Sequence, residues 1–212
     1  MKRSDRATVL LDRLPHLYPD AGCPLENWTT PFMLLVSTIL SARTTDSSVN
    51  SVTPGLWGRF PTPESLASAG QRSVEELVHP LGFFRNKASS IIRAAQWVIA
   101  AGGVPEEMDE LLKIPGVGRK TASVVLAEAF GKPAIIVDTH VGRLAGRLDL
   151  SRNSDPDDIE ADLRGLLPTE RWSSFSHQLG LHGRRVCMSR KPSCPGCGLA
   201  DVCPRRGLPG ME

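Results

Sequence analysis

The sequence predicts an all-α protein, and three observations carry that prediction. No segment sustains the apolar–polar alternation that marks a half-buried strand. Helix-start signals recur instead, at Thr30-Pro31, Thr62-Pro63, Ser73-Val74-Glu75-Glu76 (read as a capping box) and Asp155-Pro156. Between these signals apolar residues return every three or four positions, which is the helical period.

Taken in order, Leu10, Leu11, Leu14 and Leu17 give the first helix an apolar stripe. After a loop from Pro19 to Trp28, Thr30 caps a helix with Pro31 at its first position. That helix is apolar on nearly every side and is expected to be the central core helix. It ends abruptly in Ser41-Ala42-Arg43-Thr44-Thr45-Asp46, where it should emerge at a functional surface. Leu81-Gly82-Phe83-Phe84-Arg85-Asn86-Lys87 reads as a turn with two aromatics beside two cations. A strong helix follows, with Ala88, Ile91, Ile92, Ala95, Val98 and Ile99 inward and Gly102-Gly103 at its end.

The stretch from Leu111 to His140 organises the rest. A short helix starts at Pro105-Glu106-Glu107, carries Met108, Leu111 and Leu112, and stops at Ile114-Pro115-Gly116-Val117-Gly118-Arg119-Lys120. A second helix restarts at about Lys120, with Ala122, Val125, Leu126 and Ala129 on one face and Gly131 as its stop. Ala134-Ile135-Ile136-Val137 leads to a third helix bearing Val141, Leu144, Ala145 and Leu148, for which Asp138 is the N-cap. Later helices open at Asp155-Pro156, running through Leu163 to Leu167, and at Thr169, carrying Phe175, Leu179 and His182.

With 212 residues and 41% hydrophobic content, the chain can bury a real core in one large domain or two lobes, which argues against disorder. A net charge of +2 neither demands nor excludes nucleic acid, so clustering matters more. The start, Met1-Lys2-Arg3-Ser4-Asp5-Arg6, leads into an amphipathic stretch rather than an apolar signal core. The longest apolar run, Phe32 to Leu40, is interrupted by Ser37 and Thr38 and is too short to span a membrane. The expectation is a soluble, cytoplasmic protein with no membrane partner.

Gly116 and Gly118 let the backbone approach a ligand closely, and the following helix points its first-turn N–H groups outward, which makes a phosphate seat. Lys120 stands at its mouth. Taken alone, this stretch is served as well by a solvated Lys120 and a merely capping Asp138. Gly118-Arg119-Lys120-Thr121 is not a P-loop, because Arg119 intervenes between glycine and lysine and a helix precedes it. None of His140, His177 and His182 falls in a metal-spaced pair, so each reads as structural rather than as a metal ligand.

Cys187, Cys194, Cys197 and Cys203 follow a C-x6-C-x2-C-x5-C spacing stiffened by Pro192, Pro195 and Pro204. Four thiolates so close can wrap a zinc ion or a cubic iron–sulfur cluster, and the single short pair leans toward the cluster. Cys23 stands apart as a buried thiol. Arg184, Arg185, Arg190, Lys191, Arg205 and Arg206 surround the cysteines as a solvated basic face or a patch for a phosphate backbone.

Leu112-Lys113-Ile114-Pro115-Gly116-Val117-Gly118-Arg119-Lys120-Thr121-Ala122, then Val137-Asp138-Thr139-His140, then the four cysteines, closely resemble the endonuclease III family of DNA repair glycosylases. The resemblance runs from the first helix to the cysteine tail. It implies a two-lobed helix–hairpin–helix glycosylase fold: a six-helix domain over 24–133, and a cluster domain formed by 1–23 with 134–212. It implies a monomer, nucleoid-associated in a bacterium. Its partner would be double-stranded DNA carrying damaged pyrimidines or abasic sites, and its cofactor a [4Fe-4S] cluster on Cys187, Cys194, Cys197 and Cys203. Lys120 would attack the anomeric carbon of a flipped nucleotide to form a Schiff base, favoured as a neutral amine by the positive helix end and Arg119. Asp138 would take the lysine proton or stabilise charge developing on the sugar. Gly116, Val117, Gly118, Arg119, Arg43, Phe83 and His140 would contact DNA.

Arg43 and Phe83 stand where the family usually has glutamine and leucine, the residues that fill the gap left by the flipped base and wedge the stack. Glutamine both donates and accepts hydrogen bonds, whereas arginine only donates, so Arg43 either engages the acceptors of the unpaired base or simply pairs with a phosphate. Two alternatives are weaker. The family's adenine-mismatch branch lacks the lysine and carries an added C-terminal domain, and a binding-only hairpin module would not require both Lys120 and Asp138.

Overall fold

The computed structural model describes residues 1–208, and every regular element among them is helical. They fall into two compact units, one formed by Met1–Gly22 with the chain from Pro133 onward, the other by Cys23–Lys132. Residues 209–212, within the expected cluster domain, lie outside the described residues. No described helix is long and apolar enough to cross a membrane.

In the first unit, α1 (Arg3–Leu17) buries Ala7, Leu10 and Leu14. Leu17, expected on that stripe, is 41% exposed at the fraying end, and Tyr18 is buried in its place. Pro15 lies inside this helix, where it cannot bond the carbonyl of Leu11. The Arg171 guanidinium takes that carbonyl at 3.3 Å, so the helix continues past the proline.

The second unit is built on α2 (Pro31–Leu40), capped by the Thr30 hydroxyl and buried from Leu34 to Leu40 as its apolar sequence requires. Next comes α3 (Asp46–Arg59), a helix absent from the sequence reading and one that carries the helix-disfavouring Pro54, Gly55 and Gly58 within it. It forms because Val49, Thr53 and Leu56 are buried, and because Asn27 Nδ2 donates to the Asn50 carbonyl that Pro54 strands. In α4 (Pro63–Ala67) Thr62 and Ser65 form the capping box. Ser73-Val74-Glu75-Glu76 forms none, since α5 (Gln71–Val78) begins at Gln71 after Gly70 and Ser73 lies inside it.

The expected turn at Leu81–Lys87 is shorter than its sequence suggests. Here α6 (Phe84–Ala100) already begins at Phe84 and places Lys87 inside the helix, while Ile99, expected inward, is 42% exposed. The helix α6 packs on α2, α4 and α5. The short α7 (Met108–Leu111) and α8 (Arg119–Phe130) form the hairpin pair, and α8 ends at Gly131, whose φ of 63° suits a glycine stop. Burial of Leu111, Ile114, Ala122 and Val125 fixes this pair.

The chain then returns to the first unit with α9 (Thr139–Arg147), α10 (Pro156–Leu166) and α11 (Trp172–Arg185). Leu10, Leu14, Val141, Leu144, Leu163, Phe175 and Leu179 join one core there. Each fully buried leucine or phenylalanine contributes about 1.5–3 kcal/mol.

Candidate functional site

The hairpin is held by its own backbone and by close packing. Val117 N–H donates to the Ile114 carbonyl at 3.0 Å, and Val117 is buried. Gly116 has φ of +85°, and a Cβ there would lie 3.2 Å from Ser90 Cβ and 3.4 Å from Ile39 Cγ2. A glycine is therefore required twice over, by conformation and by the approach of α2 and α6. Gly118 ends the loop as the N-cap of α8, with no side chain to occupy the first-turn N–H groups. Arg119 is half-buried, and the Lys120 ammonium is exposed one residue into the helix. Cys23, on the same unit, has its thiol pushed up to about 11 by burial.

On the same unit the structure brings Arg43 and Phe83 together. The guanidinium of Arg43 lies over the Phe83 ring, 5.7 Å from its centroid. Both side chains are exposed, Phe83 by 62%. Both residues also hold left-handed backbone, with φ of 56° and 46°. A bulky L-residue adopts that conformation only when its surroundings impose it.

Asp138 and His140 belong to the other unit. Asp138 Oδ1 accepts from the His140 and Val141 N–H groups at 2.9 and 2.8 Å, the capping role its sequence context predicts. Oδ2 is left to face Arg184, 3.7 Å away. One carboxylate oxygen thus fixes the side chain while the other stays at a charged surface. His140 is half-buried, with Arg143 Nη2 at 3.2 Å from Nδ1. Its Cβ sits so close to α11 that a Cβ on Gly183 would approach it to 2.9 Å.

The four tail cysteines line one apolar pocket with about 420 Å³ of atom-free space, its open mouth included. Leu144, Leu148, Val186 and Leu199 complete its walls. Among the described residues no three Cys, His, Asp or Glu side chains converge tightly enough for a single metal ion. The sulfurs meet donors: Arg147 Nη1 lies 3.3 Å from Cys187 Sγ, and Leu199 N–H donates to Cys197 Sγ at 3.4 Å. His182 Nε2 lies 3.5 Å from Cys197 Sγ, and Tyr18 Oη is 2.6 Å from its Nδ1. Burial pushes the Cys197 and Cys203 thiols up and lowers His182 to about 4, so the imidazole is neutral.

Sequence reasoning missed what holds this tail. Arg143 and Arg147, one turn apart on α9, donate to the carbonyls of Cys187, Met188 and Ser189 at 2.7–3.0 Å. From α1, the buried Arg6 reaches the Val202 carbonyl at 3.0 Å, and Arg13 forms a two-point pair with Asp201. The i, i+4 arginines of α9 were the available signal. The expected basic face is partly neutralised, since Arg184, Arg185 and Arg206 pair with Asp138, Asp20 and Asp149.

Residues 36–169 match the family model for the HhH-GPD superfamily base excision DNA repair protein. The chain is 50% identical over 205 residues to an endonuclease III of Synechocystis sp., covering 95% of this chain and 93% of that one. It is 37% identical to the Escherichia coli (strain K12) endonuclease III over 95% of its own length and 94% of the other's. Among solved structures it is similar to a trapped endonuclease III–DNA covalent intermediate, with a TM-score of 0.91, 39% identity and 96% of each chain covered.

Proposed function

Because the chain belongs to the endonuclease III family of the HhH-GPD superfamily, a base excision repair glycosylase and abasic-site lyase that binds DNA, we propose that its reaction runs through Lys120 and Asp138 on duplexes carrying oxidised pyrimidines or abasic sites. The observation that carries this reading is the exposed Lys120 amine in the first turn of α8, directly after the close-packed Gly116-Val117-Gly118 turn. A backbone phosphate seated on that turn brings the neighbouring sugar to the amine.

Lys120 Nζ, as the neutral amine, attacks the anomeric carbon of the flipped nucleotide. The bond from that carbon to the base breaks, and the base leaves with the bonding pair. Asp138 accepts the proton lost by the lysine or balances positive charge on the sugar, using the oxygen that does not cap α9. The nitrogen lone pair then opens the sugar ring, breaking the bond from the anomeric carbon to the ring oxygen, which leaves with that pair and takes up a proton; the Schiff base so formed acidifies the adjacent sugar carbon. Loss of that proton expels the 3′ phosphate by β-elimination, and hydrolysis returns the free lysine. Gly116, Val117, Gly118 and Arg119 hold the phosphate, His140 contacts DNA beside Asp138, and Arg43 and Phe83 fill and wedge the opened stack.

The cysteine pocket fits a [4Fe-4S] cluster better than zinc. A tetrahedral zinc site needs four sulfurs drawn in to about 2.3 Å from one point, whereas these four ring a cavity and two of them, Cys187 and Cys197, receive N–H donors. A bound cluster would supply a rigid four-point cross-link of the tail. We read the protein as a cytoplasmic monomer with two domains, cut close to the boundary between its compact units. The mismatch and binding-only alternatives are not favoured, since each leaves Lys120 without a task.

Borohydride reduction in the presence of abasic-site duplex should trap a covalent protein–DNA adduct, and Lys120→Gln should abolish it. An undiminished adduct in that variant would reassign the nucleophile.

A further inference from the structure

Lys87 is the one lysine in the described chain that is buried, at 5% exposure, and it has no carboxylate against it. Its ammonium donates to the Thr44 hydroxyl and, at 3.0 Å, to the Leu81 carbonyl. The Thr44 hydroxyl in turn donates to the same Leu81 carbonyl at 2.7 Å, which closes a triangle. The Lys87 main-chain N–H also donates to the Phe83 carbonyl at 3.0 Å. Burying an ammonium is costly, and an apolar residue would fill the same space more cheaply. The partners explain its presence. Thr44 follows Arg43, and Leu81 lies two residues before Phe83, so one buried cation ties together two surface turns whose bonded residues, Thr44 and Leu81, are 37 residues apart in sequence. Those turns carry the two strained, exposed side chains that stack on each other. Strained backbone persists where the surroundings over-determine it, and this triangle does so for both turns at once.

We propose that Arg43 and Phe83 act on the DNA stack as one coupled unit, and that Lys87 is the positioning residue that keeps the two turns in register. The inference rests on the glycosylase–lyase reading above, in which both side chains enter the opened duplex. Arg43 then presents its donors to the unpaired base from a platform set by Phe83, rather than from an independent flexible arm.

A double-mutant cycle on the full-length protein tests this, using affinity for a duplex with a tetrahydrofuran abasic analogue. With Lys87 present, Arg43→Ala and Phe83→Ala combined should weaken binding less than the product of the single losses, by about two- to fivefold, the worth of an exposed cation–π contact. In a Lys87→Met background that discrepancy should vanish and the losses should multiply. Lys87→Met should also raise KM for lesion duplex more than it lowers kcat, which a purely structural loss would not do. Thr44→Val removes one corner of the triangle and, should Lys87→Met fold poorly, should shrink the coupling in the same direction. Coupling that is absent with Lys87 present, or unchanged in both variant backgrounds, overturns the proposal. Borohydride trapping is scored separately: failure of the unaltered protein to trap sinks the lyase reading, whereas intact trapping without coupling sinks only the Lys87 brace.

Discussion

The helix–hairpin–helix and the cysteine tail are both candidate functional segments, yet they hold their shapes by opposite means. From Met108 to Phe130 the chain is shaped by rules that act within a few residues: a glycine turn, a helix restart, and apolar side chains at helical spacing. From Val186 to Leu208 there is one 3-10 turn at Cys194–Gly196 and little other regular structure. What holds the tail comes from far away in sequence, as arginine donors from α1 and α9 aimed at its carbonyls. A locally determined segment tolerates the loss of a distant partner, and a remotely determined one does not.

The largest effect should come from breaking the tail at its centre. On the proposed cluster assignment the purified protein should be brown with about four irons per chain, and Cys197→Ser should lose both, with hydrogen exchange rising throughout 186–208 and unchanged over 108–130. Equal deprotection of both segments would show that the two are not independent. Arg6→Met should destabilise by about 3 kcal/mol, because it takes a charged donor from the Val202 and Asp149 main-chain carbonyls. Urea unfolding measures this, and the first protection lost should lie in the first unit.

On the hairpin side, Gly116→Ala should cost about 2 kcal/mol, from a left-handed φ imposed on an L-residue and a Cβ pressed toward Ser90. It should weaken DNA binding as well. The smallest effect separates capping from chemistry. Asp138→Ala should lose about 1 kcal/mol of stability and Asp138→Asn only a few tenths, since asparagine still caps α9. Both should lose most base-excision activity, and an active Asp138→Asn enzyme would confine Asp138 to its structural role.

The same contrast explains what could be read from the sequence. Caps at Thr30, Asp138 and Asp155 and the stop at Gly131 were legible because each depends on one residue and the helix beside it. The helix α3 was not, because its survival through Pro54 depends on Asn27, well upstream, taking the stranded carbonyl. Leu17 and Ile99 followed the helical period but fell at exposed helix ends, where period no longer decides burial. At the candidate site the cysteines stood out by residue type and spacing, whereas Lys120 and Asp138 stood out only through the family resemblance, since a solvated lysine and a helix cap serve the local sequence equally well. Lys87, Arg6, Arg143 and Arg147 did not, since a lysine or arginine on a helix is ordinarily solvated. Only their partners, distant in sequence, reveal why they are held where they are.

The pairing of α1 with the tail through Arg6–Val202 and Arg13–Asp201 also sets a timetable for synthesis. The unit spanning Cys23–Lys132 is continuous, so it can fold as soon as its last helix leaves the ribosome. The first helix is made before it but must wait for a partner made last. At about 5–20 residues per second, several seconds pass in which Leu10 and Leu14 lack the core that finally covers them. During that interval the nascent chain carries a finished lobe behind an unclaimed amphipathic helix, a natural handle for chaperones.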